Sequence, residues 1–217
     1  MKRFTYPLLL ALAIGFAACQ PQEHSCCVKP TAAADHNHNA AVTTVANTSG
    51  ALTDMSLYNL TSDWTNQNNQ KMKLEKLRGK AQLVAMIYTS CGYACPRTVA
   101  DLKSIEQELG KYKIGDVGIV LVSMDPDRDT PAKLKAFAKA NQLDTRTWTL
   151  LTSQPDDIQE LAALLNVKYS KDLNGNFSHS NIITVLNAQG EIVHQQEGLG
   201  TAPTQTVKVI QGLAKAI

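Results

Sequence analysis

The chain has 217 residues, of which 44% are hydrophobic and 18% are charged. That length suits one domain of average to large size with terminal extensions. The formal net charge is +2, and removing Lys2 and Arg3 from the 21 basic residues leaves 19, equal to the 19 acidic ones. A protein without excess charge lacks the basic surface that binds nucleic acid and the field that draws a protein onto anionic lipid, so the composition argues against both partners.

The first 19 residues have the features of a bacterial export signal. Two basic residues precede Phe4–Ala18, an almost wholly apolar segment that is too short for a membrane span of ~20 residues. Ala17-Ala18-Cys19 resembles the end of a lipoprotein signal, where the cysteine becomes the acylated first residue, although Phe16 replaces the usual Leu. We therefore expect residues 1–18 to be a lipoprotein signal peptide and Cys19 to be lipidated. The alternative is an ordinary signal peptide cut nearby, with Cys19 left as a plain thiol.

Residues 19–53 have the composition of a flexible tether between the anchor and a folded domain. They lack hydrophobic periodicity and are rich in Ala, Thr, Asn, Gln and Pro, which bury too little apolar surface to order a chain. The segment contains His24, Cys26, Cys27, His36 and His38. Thiolates and imidazoles are good copper ligands, so the tether is either a polar linker or a segment that captures soft metal ions.

The predicted folded domain covers residues 54–217 and begins with short elements. Apolar patterns at Ser56–Leu60 and Lys71–Leu77, on either side of the polar segment Thr65–Gln70, predict a hairpin that leads into the domain.

Longer patterns predict the main strands and helices. Continuous apolar runs predict strands at Gln82–Tyr88, Val117–Ser123 and Trp148–Leu151. Helical spacing predicts helices that run from Pro96 to a stop at Gly110, over Pro131–Asn141 after the N-cap Thr130, over Pro155–Leu165 and over Pro203–Ala216. A turn at Asn187–Gly190 predicts an antiparallel hairpin of Ile182–Leu186 and Glu191–Gln195. The order β-α-β-α-β-α-β-β-α predicts an α/β fold, a thioredoxin-like three-layer α/β/α sandwich with a mixed sheet.

Cys91 and Cys95 lie where a buried strand ends and a helix begins. The N-terminus of a helix carries a partial positive charge and free N–H groups, which favour a thiolate over a thiol. Two cysteines four residues apart across such a turn can form a disulfide or bind a soft cation together. The position of the pair therefore indicates either redox chemistry or a metal site.

Three motifs in the same order make the chain similar to the Sco/SenC family. The motifs are C-x-x-x-C-P at Cys91–Pro96, V-S-x-D-P-x-R-D-T-P at Val122–Pro131, and Ser178-His179-Ser180 before the last hairpin. The resemblance covers residues from about 57 to 217. It departs from the family at Gly92, where Pro often follows the first cysteine, and at Ser178, where Asp commonly precedes the histidine.

Members of this family are thioredoxin-like, copper-handling proteins that help to assemble the binuclear CuA centre of cytochrome c oxidase. The resemblance implies that Cys91, Cys95 and His179 bind copper. Two thiolates suit Cu(I), and an added imidazole lets the site accept Cu(II) as well. The implied partners are the apo form of the oxidase copper subunit and a thiol reductant or another copper chaperone. Because the oxidase is assembled in the inner membrane, we expect an anchor there, with the protein facing the periplasm.

Other polar residues near these motifs are predicted to have structural roles. We interpret Asp125, Arg128 and Asp129 as a salt-bridged turn that caps the following helix, rather than as catalytic groups. His194 lies in an alternating strand and is interpreted as an ordinary strand residue.

The main alternative function is a membrane-anchored thiol–disulfide oxidoreductase that reduces cysteines of a copper-site apoprotein. In that case Cys91 attacks and Cys95 resolves the mixed disulfide. His179 separates the two functions, because only copper binding needs a third ligand. A peroxiredoxin is a poor match: Thr89 precedes Cys91, but the preceding Pro of that family's loop is missing and the Thr–Cys spacing is too short.

Overall fold

The computed structural model of the protein describes residues 51–110 and 115–214. These residues belong to one unit, Thr43–Ile217. No helix within the described ranges is both long and apolar enough to cross a membrane. The predicted signal peptide, the lipidation site Cys19 and the Cys/His-containing tether lie outside the described residues, so they stay predictions.

The described strands form one large sheet and one small one. They are β1 (Trp64–Asn66), β2 (Lys71–Met72), β3 (Ala81–Ile87), β4 (Val117–Ser123), β5 (Trp148–Thr152), β6 (Tyr169–Lys171), β7 (Phe177–His179), β8 (Ile182–Leu186) and β9 (Ile192–Glu197). The large sheet has the order β2-β1-β5-β4-β3-β8-β9, and β6 pairs with β7 alone. Strands β3, β4 and β5 are parallel, whereas β8 and β1 join them in antiparallel register, which confirms the predicted mixed sheet.

Four helices follow the predicted positions closely. They are α1 (Ala94–Leu109), α2 (Pro131–Ala140), α3 (Pro155–Leu164) and α4 (Thr204–Ala214). The Thr130 hydroxyl accepts the N–H of Lys133 and caps α2 as expected. Helix α1 ends at Gly110, whose φ of +57° is a conformation that glycine adopts without steric cost.

Helices cover both faces of the sheet. Val84, Val120 and Val122 line a common interior space with Leu161 of α3. Because side chains alternate along a strand, the neighbouring residues point to the opposite face. On that face α1 and α4 contact β3 and each other. Every residue of β3 and β4 is buried, which explains their continuous apolar sequence and confirms the three-layer architecture.

The predicted lead-in hairpin exists, but its strands lie elsewhere. Ser56–Leu60 is not a strand, because the Ser56 hydroxyl accepts the N–H of Tyr58 and caps a 3₁₀ turn at Leu57–Asn59. The first strand is β1, which pairs with both β2 and β5. The second predicted strand stops at Met72, and a further 3₁₀ turn occupies Leu74–Leu77.

The small sheet of β6 and β7 is absent from the predicted element order. Each strand has only three residues, too few for an alternating pattern to be recognised. A turn signal is present, since Asn174-Gly175 lies between the strands and Gly175 has a φ of +81°. This omission matters for the site, because β7 carries His179.

Candidate metal centre

The loop between β3 and α1 brings Cys91 under the first turn of the helix. Helix α1 has no capping side chain at its N-cap residue, Tyr93. Instead, the backbone N–H of Cys95 donates to Cys91 Sγ at 3.3 Å. The sulfur thus takes the place of a capping oxygen and satisfies an N–H that the helix leaves free.

The two cysteines are free thiols with different surroundings. Burial alone would raise the pKa of the partly exposed Cys91 thiol, but backbone N–H groups of Cys95 and Tyr93 stabilise its thiolate. Hydrogen bonds from the side chains of Cys95 and Tyr88 act in the same direction, so the pKa of Cys91 falls below its ordinary value. Complete burial raises the pKa of Cys95 far above its ordinary value, and the nearby Cys91 and Asp129 reinforce this effect. Of the two thiols, Cys91 therefore ionises more readily, and Cys95 holds its proton more strongly.

His179 presents its free nitrogen to this pair. Its Nδ1 lies 3.0 Å from the carbonyl oxygen of Ser180. A carbonyl only accepts hydrogen bonds, so in the neutral ring Nδ1 carries the proton and Nε2 has the lone pair. Nε2 lies 3.9 Å from Cys95 Sγ, where it can accept the thiol proton or bind a metal.

A cluster of aromatic side chains contacts the His179 ring. The Tyr88 ring meets the His179 ring edge-on at 6.3 Å and packs against Phe177 at 5.1 Å. The Tyr169 ring lies 6.0 Å from the Phe177 ring. These residues were missed in the sequence because Tyr88 reads as the end of a buried strand and Phe177 belongs to the unrecognised strand β7.

The turn after β4 holds the β3–α1 loop, which carries Cys91, through a buried carboxylate. Asp129 is fully buried and accepts hydrogen bonds from Thr89 N at 2.9 Å, Thr89 Oγ1 at 2.5 Å and Ser123 Oγ at 2.6 Å. Asp125 forms an ion pair with Arg128, which confirms the predicted salt-bridged turn. The predicted capping role is wrong for Asp129, because Thr130 caps α2 and Asp129 reaches back to the loop that carries Cys91.

An open cleft leaves the histidine accessible from outside. It has a volume of about 420 Å³ and is lined by both strands of the small sheet and their flanks, at Lys168, Tyr169, Ser170, Ser178, His179 and Ser180. His194 is remote from this cleft and bonds Thr206 through Nε2 at 3.1 Å, as expected for an ordinary strand residue.

The predicted ligands are of the types that bind a soft cation, but the three side chains do not lie close enough together to bind one in this structure. Typical zinc–sulfur and zinc–nitrogen distances of ~2.3 and ~2.0 Å sum to about 4.3 Å, so donors 3.9 Å apart can share one ion. Yet no three His, Cys, Asp or Glu side chains in residues 51–110 and 115–214 are grouped so that they could hold a metal ion. Copper binding by Cys91, Cys95 and His179 stays a prediction, and it requires the three side chains to group more closely than they do in this structure.

Comparison with known proteins places the chain in a family. A "SCO1 protein homolog" from Bacillus subtilis is 28% identical over 141 residues, which are 64% of this chain and 72% of that protein. The crystal structure of a SCO1/SenC family lipoprotein from Bacillus anthracis matches with a TM-score of 0.66 and 27% identity, covering 76% of this chain and 99% of that one.

A third match shows the shared fold alone. The copper-bound structure of Arabidopsis thaliana ScoI is 20% identical, has a TM-score of 0.63, and covers 71% of this chain and 96% of that one. The family model described as SCO1/SenC matches residues 53–215, and with the motifs and the thioredoxin-like fold above, the protein therefore belongs to the SCO1/SenC family.

Proposed function

We propose that this protein is a copper chaperone that binds one copper ion through Cys91, Cys95 and His179 and delivers it to the CuA site of cytochrome c oxidase. The observation that carries the proposal is the approach of His179 to the cysteine pair. Its Nε2, left free by the contact of Nδ1 with Ser180, lies 3.9 Å from Cys95 Sγ, and the N–H of Cys95 donates to Cys91 Sγ. Arabidopsis thaliana ScoI, which shares this fold, has been solved with copper bound.

Each residue has a distinct part in binding and release. Cys91 is partly exposed and its pKa is lowered, so it makes the first bond to an incoming ion and the first bond to be exchanged with an acceptor thiolate. Cys95 must lose its proton before it binds, and copper uptake therefore releases a proton. His179 approaches with β7 and adds the nitrogen that lets the same site hold Cu(II).

Copper binding is tested with the full chain in which Cys19, Cys26 and Cys27 are replaced by serine, hereafter the two-thiol protein. Cys91 and Cys95 are its only thiols, since the chain has five cysteines. Cu(I) affinity is measured by competition with a chromogenic chelator, and Cu(II) affinity by titration under conditions that keep the thiols reduced.

The expected result is a loss of affinity confined to the proposed ligands. Cys91→Ala and Cys95→Ala each lower Cu(I) affinity by more than about 100-fold. Each removes a copper ligand itself, which costs more than removing a residue that only hydrogen-bonds a ligand. His179→Ala weakens Cu(II) binding most, whereas His194→Ala, which removes a histidine away from the site, changes neither affinity. Equal Cu(I) binding by Cys91→Ala and the parent would refute the assignment.

We also propose that an acylated Cys19 anchors the protein in the inner membrane, with the domain facing the periplasm. The lipobox-like Ala17-Ala18-Cys19 and the lipoprotein nature of the Bacillus anthracis relative support this proposal. Mass spectrometry of the wild-type chain from a bacterial host tests it. We expect a mature N-terminus at an acylated Cys19, and an unmodified Cys19 would contradict the anchor.

A second function is favoured by the difference between the two thiols. A partly exposed Cys91 with a lowered pKa next to a buried Cys95 with a raised pKa is the arrangement of a nucleophile and a resolving group. The Cys91 thiolate would attack a client disulfide, and Cys95 would then displace the client. The products are a reduced client dithiol and an oxidised Cys91–Cys95 disulfide, a two-electron exchange.

Removal of the histidine distinguishes client reduction from copper transfer. A protein that acts only as a reductase keeps its rate of client reduction in His179→Ala. A copper chaperone loses delivery of Cu(II) to the apo copper subunit in the same variant. Measuring both reactions with one preparation distinguishes the two functions.

A further inference from the structure

The small sheet that carries His179 is held to the rest of the domain mainly by side chains. Among the described strands, β6 and β7 pair only with each other, through Tyr169–His179, Ser170–Ser178 and Lys171–Phe177. An isolated two-stranded hairpin is marginally stable at best. The position of His179 therefore depends on contacts that dock this hairpin against its neighbours.

One face of the hairpin is docked by an ionic contact with the turn after β4. The Nζ of Lys171 lies 3.4 Å from Oδ1 of Asp125 and 3.2 Å from Oδ2 of Asp127. Arg128 pairs with the other oxygen of Asp125 and also donates to the carbonyl oxygen of Gly175 in the hairpin turn. Two cations thus connect one carboxylate to the hairpin.

The burial of that carboxylate makes the contact more than a surface ion pair. Asp125 is 0% exposed, whereas the side chain of Lys171 is 40% exposed. A buried charge is costly unless it is paired and hydrogen-bonded, so displacing the hairpin would strip Asp125 of a partner. An exposed pair would give no comparable penalty.

Lys171 also lies on a chain of contacts that ends at the histidine. Its ammonium group lies 5.4 Å above the Phe177 ring, which packs on Tyr88, and Tyr88 meets His179. Since β7 has three residues, a tilt of the hairpin at Phe177 also moves His179 two positions later.

We propose that Lys171 is a positioning residue that holds the β6–β7 hairpin on the Asp125–Asp127 turn and thereby keeps His179 within reach of Cys95. The inference rests on the proposed copper site and adds a residue outside it. Because two thiolates satisfy Cu(I) whereas Cu(II) also needs the imidazole, Lys171 governs Cu(II) binding and leaves Cu(I) binding alone.

The test compares Lys171→Met with matched variants of the two-thiol protein. Methionine keeps a long apolar stem but removes the charge, and Lys171→Arg restores it. The control is Arg146→Met, which breaks an exposed ion pair with Asp144 of 2.6 Å before β5. Hydrogen exchange of the hairpin amides, Tyr169–His179, is measured in the metal-free protein, and Cu(I) and Cu(II) affinities are measured separately.

In Lys171→Met we expect the hairpin amides to exchange about tenfold faster, with exchange of β3 unchanged. Cu(II) affinity falls by up to the same factor, because a smaller fraction of the protein has its histidine in place, while Cu(I) affinity stays within about twofold of the parent. Lys171→Arg restores both values, and Arg146→Met changes neither. Unchanged exchange and Cu(II) affinity in Lys171→Met, or an equal effect of Arg146→Met, would overturn the proposal.

Two further variants keep the test decisive. If Lys171→Met unfolds, Asp127→Asn removes only the exposed carboxylate of the contact and must shift both readouts in the same direction by about twofold; no shift overturns the proposal. His179→Ala reports on the ligand itself. If its Cu(II) affinity equals the parent's, the proposed copper site is wrong, whereas a weakened His179→Ala beside an unchanged Lys171→Met refutes only the role of Lys171.

Discussion

Replacing Asp129 by alanine is expected to destabilise the domain and loosen the loop that carries Cys91. The carboxylate is fully buried between β4 and this loop. It accepts two hydrogen bonds from Thr89 and one from Ser123. Alanine removes all three acceptor sites and leaves the buried hydroxyl of Ser123, itself 0% exposed, without this acceptor.

The size of the effect follows from those contacts. Hydrogen bonds to a charged group contribute ~1.5–3 kcal/mol each, and a buried donor left unsatisfied costs ~1–3 kcal/mol. Thr89 is only partly buried, so water can replace some of its loss. We therefore expect Asp129→Ala to lower the free energy of unfolding by about 3–5 kcal/mol, a large part of the ~5–15 kcal/mol typical of a domain. Asp129→Asn keeps the shape and most hydrogen bonds and should cost about 1–2 kcal/mol.

Urea unfolding of the reduced two-thiol protein measures these differences. Asp156→Ala is the control, since that carboxylate is exposed in the first turn of α3 and its loss should cost within about 0.5 kcal/mol. Alkylation of Cys91 in folded Asp129→Asn reports separately on the loop. A cost below about 1 kcal/mol for Asp129→Ala would show that the buried network does not anchor the loop.

Three other effects follow from the same structure. Because its pKa is lowered, Cys91 should be alkylated by iodoacetamide at lower pH than a free cysteine and well before Cys95, and mass spectrometry showing Cys95 labelled first would contradict this. Burial raises the pKa of Cys95 in the folded protein, whereas the thiol of the unfolded chain ionises near pH ~8.5. The contribution of Cys95 to stability is therefore full below pH ~8.5 and falls above it, by about 1.4 kcal/mol between pH ~7.5 and ~9.5. Urea unfolding of Cys95→Ala should lack this loss. Gly190→Ala places a Cβ 2.6 Å from the Tyr58 ring at a φ of +84° and should destabilise the domain by about 2–4 kcal/mol in the same assay. Gly212→Ala in α4 places a Cβ with no atom of the described residues within 4 Å and should stabilise the domain by about 0.5–1 kcal/mol.

The main elements of the fold could be predicted because their patterns are long and physically unambiguous. Strands β3 and β4 are buried on both faces, so their sequences are continuous apolar runs. Helix α2 has a capping threonine and a proline at its start, and helix α1 ends at a glycine. The cysteine pair could be assigned to a reactive position for the same reason, since a strand end and a helix start define it.

The rest of the site depends on contacts between distant parts of the chain. Nothing local to Asp129 indicates that it bonds Thr89, which lies 40 residues earlier. The three-residue strands β6 and β7 become strands only by pairing with each other, and only the Asn174-Gly175 turn marks them in the sequence. The family resemblance supplied His179, but the hairpin that carries it, and the role of Lys171 in docking that hairpin, required the structure.

X-ray absorption spectroscopy of the copper-loaded two-thiol protein tests the central claim most directly. It counts the sulfur and nitrogen atoms bound to copper without reference to any client. For Cu(II) we expect two sulfur ligands and an imidazole nitrogen that disappears in His179→Ala and persists in His194→Ala. A Cu(II) spectrum without sulfur, or one with an imidazole that survives the loss of His179, would contradict a copper site built from Cys91, Cys95 and His179.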